Sequence, residues 1–270
     1  MDLFFRKYGE AGPPLVIVHG LYGSSDNWVS IARDLADRFE VFVVDQRNHG
    51  QSPHSPQHDY PSMREDLREF MDQQGIKKAV LIGHSMGGKT VMAFAEAWPE
   101  QVQALISVDI APKSYRNLAL ASRTATNHSS MIDAMIRIDL SKIESREDAD
   151  EALARSIGSE RIRSFLLKNL RRESGGDFHW RINLEAISSN LEAIFEGMDR
   201  EAIAVRGGIT GFPALFISGG ASEYIRAMDH VLIRDIFPTA EVATIPGAGH
   251  WVHAEQPALL VKTIRYFLDI

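Results

Sequence analysis

The sequence contains no cysteine, which removes disulfide scaffolds, thiolate nucleophiles and Cys-ligated zinc at once. Long apolar runs are missing as well. The N-terminal stretch Met1-Asp2-Leu3-Phe4-Phe5-Arg6 lacks the apolar core of a secretion signal. No other stretch approaches the roughly 20 apolar residues a membrane span needs, so a cytoplasmic protein with no membrane span is expected. Basic runs are scarce: Arg171-Arg172 reads as no more than a solvated helix end. With a net charge of −7 and a pI near 5.8, there is no basic face to hold a phosphate backbone, and a nucleic-acid partner is excluded. What the chain does have is 270 residues with 44% hydrophobic content, enough to bury a full core. That length suits one large α/β domain, or a domain with an insertion.

Short, nearly continuous apolar runs recur at Leu15–Val18, Val41–Val44, Ala79–Ile82, Ala104–Val108 and Ala214–Ile217. Strands of a parallel sheet covered on both faces look like this. Glu241–Ile245 alternates more, as a strand nearer the sheet edge would. Between the runs lie helical patterns: one over Trp28–Leu35, one carrying Met63, Leu67, Phe70 and Met71 with Ser62 as its cap, and a last one with Leu259, Leu260, Ile264, Phe267 and Leu268 on one side. Alternating strands and helices predict a doubly wound α/β fold, a mostly parallel central sheet flanked by helices. The alternation breaks from about Tyr115 to Arg206. No convincing strand is visible there, only amphipathic helical patterns, with Ser145 and Asp148 forming a capping box for one of them. Residues 115–206 therefore read as a helical lid inserted between core strands, and residues 1–114 with 207–270 as the core.

The stretch Gly83-His84-Ser85-Met86-Gly87-Gly88 joins the strand at Ala79–Ile82 to a helical run that stops before Pro99. A Gly-x-Ser-x-Gly turn between a strand and a helix is a nucleophile elbow, which lifts the serine hydroxyl clear of the sheet. Ligands of an open α/β sheet bind beyond the carboxyl ends of its strands. Those ends carry His19-Gly20-Leu21-Tyr22-Gly23, Asp45-Gln46-Arg47-Asn48-His49-Gly50, the elbow itself, Asp109, and Gly247-Ala248-Gly249-His250. Serine, acid and histidine appear in that chain order. A serine hydroxyl needs a neutral imidazole to take its proton, and an acid to fix the imidazole tautomer. His250, after a Gly-rich loop that can swing the ring to Ser85, is the candidate base, with His253 as its rival. His19 is expected to brace the oxyanion loop and His84 to leave the elbow on the other side. The backbone N–H groups of Leu21 and Met86 are the candidate oxyanion donors. Metal ligation by His19, His49, His84 and Asp45 is the competing use of these side chains, without any compact ligand spacing to support it.

Together these motifs, with Asp109-Ile110-Ala111-Pro112 and Gly247-Ala248-Gly249-His250-Trp251-Val252-His253-Ala254-Glu255, resemble the YbfF-type bacterial esterases of the α/β-hydrolase superfamily. The resemblance covers the sheet and weakens through the lid. It implies an α/β-hydrolase core, no cofactor, and small-molecule ester or thioester substrates, acyl-CoA among them. It also carries the triad acid to Asp109. In most α/β-hydrolases the acid instead follows the next core strand, where this chain reads Gly219-Gly220-Ala221-Ser222-Glu223, so Glu223 stays open as the alternative. A cofactor-free perhydrolase or haloperoxidase, and a non-hydrolytic receptor on the same fold, are the rival functions. A dehalogenase or epoxide hydrolase is disfavoured because those use an aspartate where this chain has Ser85.

Overall fold

A computed structural model describes residues 1–116 and 128–269. Seven strands form the central sheet: β1 (Phe5–Tyr8), β2 (Pro14–Val18), β3 (Glu40–Val44), β4 (Ala79–His84), β5 (Val102–Val108), β8 (Ala214–Gly219) and β9 (Ala240–Ile245). Their order is β1-β3-β2-β4-β5-β8-β9. Every neighbouring pair is parallel except β1 with β3, where Phe5 faces Val44 across an antiparallel ladder. Because β2 to β8 are covered on both faces, alternate side chains feed two separate cores. Val16, Val18, Phe42, Val44, Leu81 and Phe216 enter one. Leu15, Ile17, Val41, Val43, Val80 and Ile82 enter the other. This double burial makes the runs nearly continuous in sequence. β9 lies at the sheet edge and is less buried, which accounts for its alternation.

The flanking helices are α1 (Val29–Leu35), α2 (Tyr60–Gln73), α3 (Met86–Ala97), α10 (Asp229–Ile236), α11 (Val252–Glu255) and α12 (Pro257–Phe267), numbered in chain order around those described next. The cap of α2 is Asp59, whose carboxylate accepts the Ser62 N–H at 2.8 Å. Ser62 is thus the residue three positions on, and not the cap itself. In α12 the buried positions are Leu260, Val261 and Ile264, while Leu259 is 39% exposed.

Between β5 and β8 lie α4 (His128–Ile136), α5 (Arg146–Ala154), α6 (Glu160–Leu166), α7 (Leu184–Ser189), α8 (Leu191–Phe195) and α9 (Arg200–Val205). The capping box of α5, Ser145 with Asp148, is formed as expected. Residues 117–127, the early part of the expected lid, lie outside the described residues. Within the stretch where no strand is expected, β6 (Leu170–Arg172) and β7 (Phe178–Trp180) pair as an antiparallel hairpin. Strands of three residues are too short to establish a period of two, and only the Gly175-Gly176 dipeptide, with Gly176 at φ 98°, marks the turn. The edge strand β1, four residues of which none is fully buried, carries no apolar run either. Among the described residues no helix is long and apolar enough to cross a membrane.

Three successive carbonyls around the end of α8 are tied down, two to core residues and one to the start of the insertion. Ile194 O accepts the Tyr60 hydroxyl at 2.6 Å, Phe195 O accepts the Tyr115 N–H at 2.8 Å, and Glu196 O accepts Lys89 Nζ. Lys89 is buried, 4.8 Å from the Tyr115 ring centroid. Burial pushes its ammonium down to about 7, against the opposing pull of the Glu196 carboxylate.

Candidate active site

β4 delivers Ser85 to the start of α3 in a backbone conformation of φ 53°, ψ −120°, a region L-residues avoid. Close approach enforces it. A Cβ on Gly83 would lie 2.2 Å from Gly87 O, and one on Gly87 would lie 2.2 Å from Val18 O. Neither position accepts a side chain, so the turn stays tight and Ser85 stands at its apex.

His250 follows the loop after β9 and reaches Ser85 as expected, with Nε2 3.0 Å from Oγ. Its Nδ1 is 2.8 Å from Oδ2 of Asp109. Asp109 is fully buried at the end of β5, so its carboxylate needs every donor it can find. Gly219 N–H reaches Oδ1 at 2.9 Å and the Ser222 hydroxyl donates to Oδ2. A carboxylate on Nδ1 leaves that nitrogen protonated and turns the Nε2 lone pair toward Ser85. Glu223 takes no part in this: its side chain is 74% exposed and pairs with Arg226 at 2.7 Å. The stretch after β8 that usually carries the acid thus supplies a hydroxyl to an aspartate on the neighbouring strand.

Leu21 and Met86, the residues of the two expected donors, pack in one apolar cluster. Gly20 packs so closely on the elbow that a Cβ there would lie 3.1 Å from Ser85 Cβ and 2.8 Å from His84 Nδ1, which brings the loop of Gly20 and Leu21 up to Ser85. Met86 is the first residue of α3, where helix N–H groups have no intrahelical partner and the dipole is positive. Two histidines brace the opposing loop. Gln46 N–H donates to His19 Nε2 at 3.0 Å, so His19 Nδ1–H donates to Gly20 O at 2.8 Å. His49 accepts the Tyr22 N–H at 3.3 Å and donates from Nδ1 to Arg47 O at 3.0 Å. The Asp45 carboxylate accepts Ser25 N–H at 2.6 Å and Gln51 N–H at 2.9 Å. These side chains serve backbone groups.

The other histidines near the site are held apart from Ser85 Oγ. His84 Nε2 donates to His250 O at 2.8 Å, so it holds the His250 backbone from behind. His253, the rival base, stacks on Trp28 with centroids 4.7 Å apart. Three contacts gave no signal in sequence. The Tyr224 ring stacks on His250 at 3.7 Å, Ser222 meets Asp109, and Glu255 accepts the Gly249 N–H. The first two link positions that only the fold brings together, and the third closes a turn between residues six positions apart.

Burial holds six histidines below their ordinary range: His19, His49 and His84 by direction, His58 and His253 down to about 3, and His128 to about 4. Since the folded pKa lies below the unfolded one, the unfolded chain binds more protons in between. Stability is therefore complete above pH 6.5 and is lost as pH falls toward 3. At pH 5 a ring held at about 3 or 4 costs about 2 kcal/mol. His58, His128 and His253 together then remove about 6 kcal/mol, a large part of the ~5–15 kcal/mol typical of a domain. The melting temperature is expected to drop by roughly 10–20 °C between pH 7 and pH 5. A flat profile in thermal-shift scans over that range would contradict the burial of these rings as neutral groups.

A sheet of this order with a serine elbow after β4 and a histidine after the last strand defines an α/β hydrolase. The chain belongs to the α/β hydrolase fold family, whose pattern matches residues 13–257. Its relatives set it among the esterases and lipases of that fold. It is 40% identical over 262 residues to the sn-1-specific diacylglycerol lipase ABHD11 of Danio rerio, covering 95% of this chain and 78% of that protein. It is 36% identical over 256 residues to esterase YbfF of Escherichia coli (strain K12), covering 95% and 93%. A solved marine microorganism esterase superposes with a TM-score of 0.91 at 45% identity, over 98% of this chain and 99% of the other.

Proposed function

We infer that this esterase-type hydrolase cleaves carboxylic esters, and thioesters such as acyl-CoA, through an acyl-enzyme on Ser85. The observation that carries the reading is the continuous contact from Asp109 through His250 to Ser85, at 2.8 and 3.0 Å. Ser85 Oγ attacks the carbonyl carbon while His250 Nε2 takes its proton. The oxygen of the tetrahedral intermediate accepts the Leu21 and Met86 N–H groups. As the carbon–oxygen or carbon–sulfur bond breaks, Nε2 returns the proton to the leaving group, and water then repeats the sequence to release the acid. Asp109 holds the Nδ1 proton and offsets the imidazolium.

Residues 115–206 act as a lid and supply the acyl wall. In support, Leu21 and Met86 pack in one apolar cluster with Met131, Ile132, Ile187 and Ile194, and ABHD11 is named as a lipase. A fluorophosphonate should label Ser85, and p-nitrophenyl esters and acyl-CoAs of graded length should be turned over. Turnover with no label at Ser85 would refute the acyl-enzyme, and turnover of oxygen esters alone would remove thioesters from the substrates.

The lid reading has its own test. Met131→Trp or Ile194→Trp should slow long acyl chains about tenfold relative to the acetyl ester. A loss of melting temperature with unchanged chain preference would mean that these helices only pad the core.

A further inference from the structure

The loop that carries His250 is pinned at several points. Ala248 O accepts Ala221 N–H at 2.8 Å, and His250 O accepts His84 Nε2–H. The remaining pin is the one made by a charge. Glu255, the last residue of α11, folds back over one turn so that Oε2 accepts the Gly249 N–H at 2.5 Å. Its side chain is only 14% exposed, and Oε1 pairs with Arg161 Nη2 at 2.7 Å. Arg161 belongs to α6 of the lid, and its guanidinium also lies over the Trp251 ring, 5.4 Å from the centroid. Phe165, from the same helix, meets Trp251 at 5.6 Å. A lid helix therefore grips both the residue after His250 and the carboxylate that holds the residue before it.

We propose that Glu255 is a positioning residue for His250, and that Arg161 makes its hold depend on the seating of lid helix α6. This rests on the assignment of His250 as the base. A carboxylate accepting a backbone N–H makes a charge-assisted hydrogen bond, stronger than a neutral one. It fixes the peptide that leads into the imidazole, whose Nε2 must stay in line with Ser85 Oγ through both half-reactions. A displacement of about 1 Å at such a group can cost 10²-fold in rate. The Arg161 pair fixes the orientation of the carboxylate. When α6 lifts, the carboxylate loses its partner and the base loses its tether, so the reaction is gated by lid closure without any lid residue touching the substrate.

The test uses Glu255→Ala, Glu255→Gln and Arg161→Ala in the full chain, read by fluorophosphonate labelling rate and by kcat and KM on a short p-nitrophenyl ester. Glu255→Ala should lower the labelling rate and kcat about 100-fold, with KM within about twofold of wild type, because the acyl wall is untouched. Glu255→Gln keeps an oxygen for Gly249 N–H but not the charge, and should recover only to about tenfold below wild type. Arg161→Ala should fall to a similar level. Should Glu255→Ala fail to fold, the other two variants still decide. Labelling of Glu255→Ala or Glu255→Gln at the wild-type rate, whatever the melting temperature, overturns the positioning role. A wild-type rate for Arg161→Ala overturns its dependence on the lid. Failure of the wild type to label at Ser85 would instead overturn the acyl-enzyme reading.

Discussion

Alanine at position 85 is expected to lower kcat on the order of 10⁶-fold, the scale seen when a serine protease loses its nucleophile. Labelling by a fluorophosphonate should vanish with it. The protein should remain folded, because the strained φ of 53° at this position is imposed by the contacts of Gly83 and Gly87 and not by the hydroxyl. An alanine has the same Cβ to accommodate and no extra atom to place. The melting temperature should therefore stay within a few degrees of wild type, so the loss is chemical. The backbone N–H groups of Leu21 and Met86, the proposed oxyanion donors, survive the substitution and should leave a residual rate of roughly 10³ over water. A variant that keeps near-wild-type turnover would place the nucleophile elsewhere.

The second large effect belongs to Asp109, the proposed acid. Asp109→Asn should lower kcat about 10⁴-fold, as in a protease triad whose aspartate becomes an amide. The geometry supplies the reason. Gly219 N–H donates to Oδ1 of Asp109, so the amide oxygen takes that place. The amide nitrogen then faces His250 Nδ1 and the Ser222 hydroxyl. A donor opposite Nδ1 forces the proton onto Nε2, where it points at Ser85 and blocks the lone pair that must accept from it. Glu223→Gln should cost about tenfold or less, since that carboxylate faces solvent beside Arg226. Kinetics of both variants in one assay decide the matter, and the reverse ranking would move the acid to Glu223.

The contrast between these two carboxylates shows how far the sequence could be read. Ser85 and His250 are legible because local chemistry marks them: one is framed by glycines that a tight turn demands, and the other ends a Gly-rich loop after a strand. The parallel sheet is legible because double burial writes itself as unbroken apolar runs. Whether Asp109 or Glu223 meets the imidazole is not a local property. Asp109 and Ser222 are 113 positions apart, and their contact follows from the pairing of β5 with β8, which leaves no periodic trace. The same holds for Glu255 and Arg161, and for Tyr224 over His250. The β6–β7 hairpin failed for the opposite reason, since its strands are shorter than the pattern that reveals a strand.

The meeting of Ser222 with Asp109 bears on how such enzymes diversify. Two adjacent strand ends reach one point beside His250 Nδ1, one bringing a carboxylate and the other a hydroxyl that supports it. Exchanging the two residue types would hand the negative charge from one strand to its neighbour while the imidazole stays where it is. A lineage can thus rewrite the linear order of its signature residues and conserve the arrangement in space, and comparing aligned positions alone would report a lost acid where the charge has only changed its point of attachment.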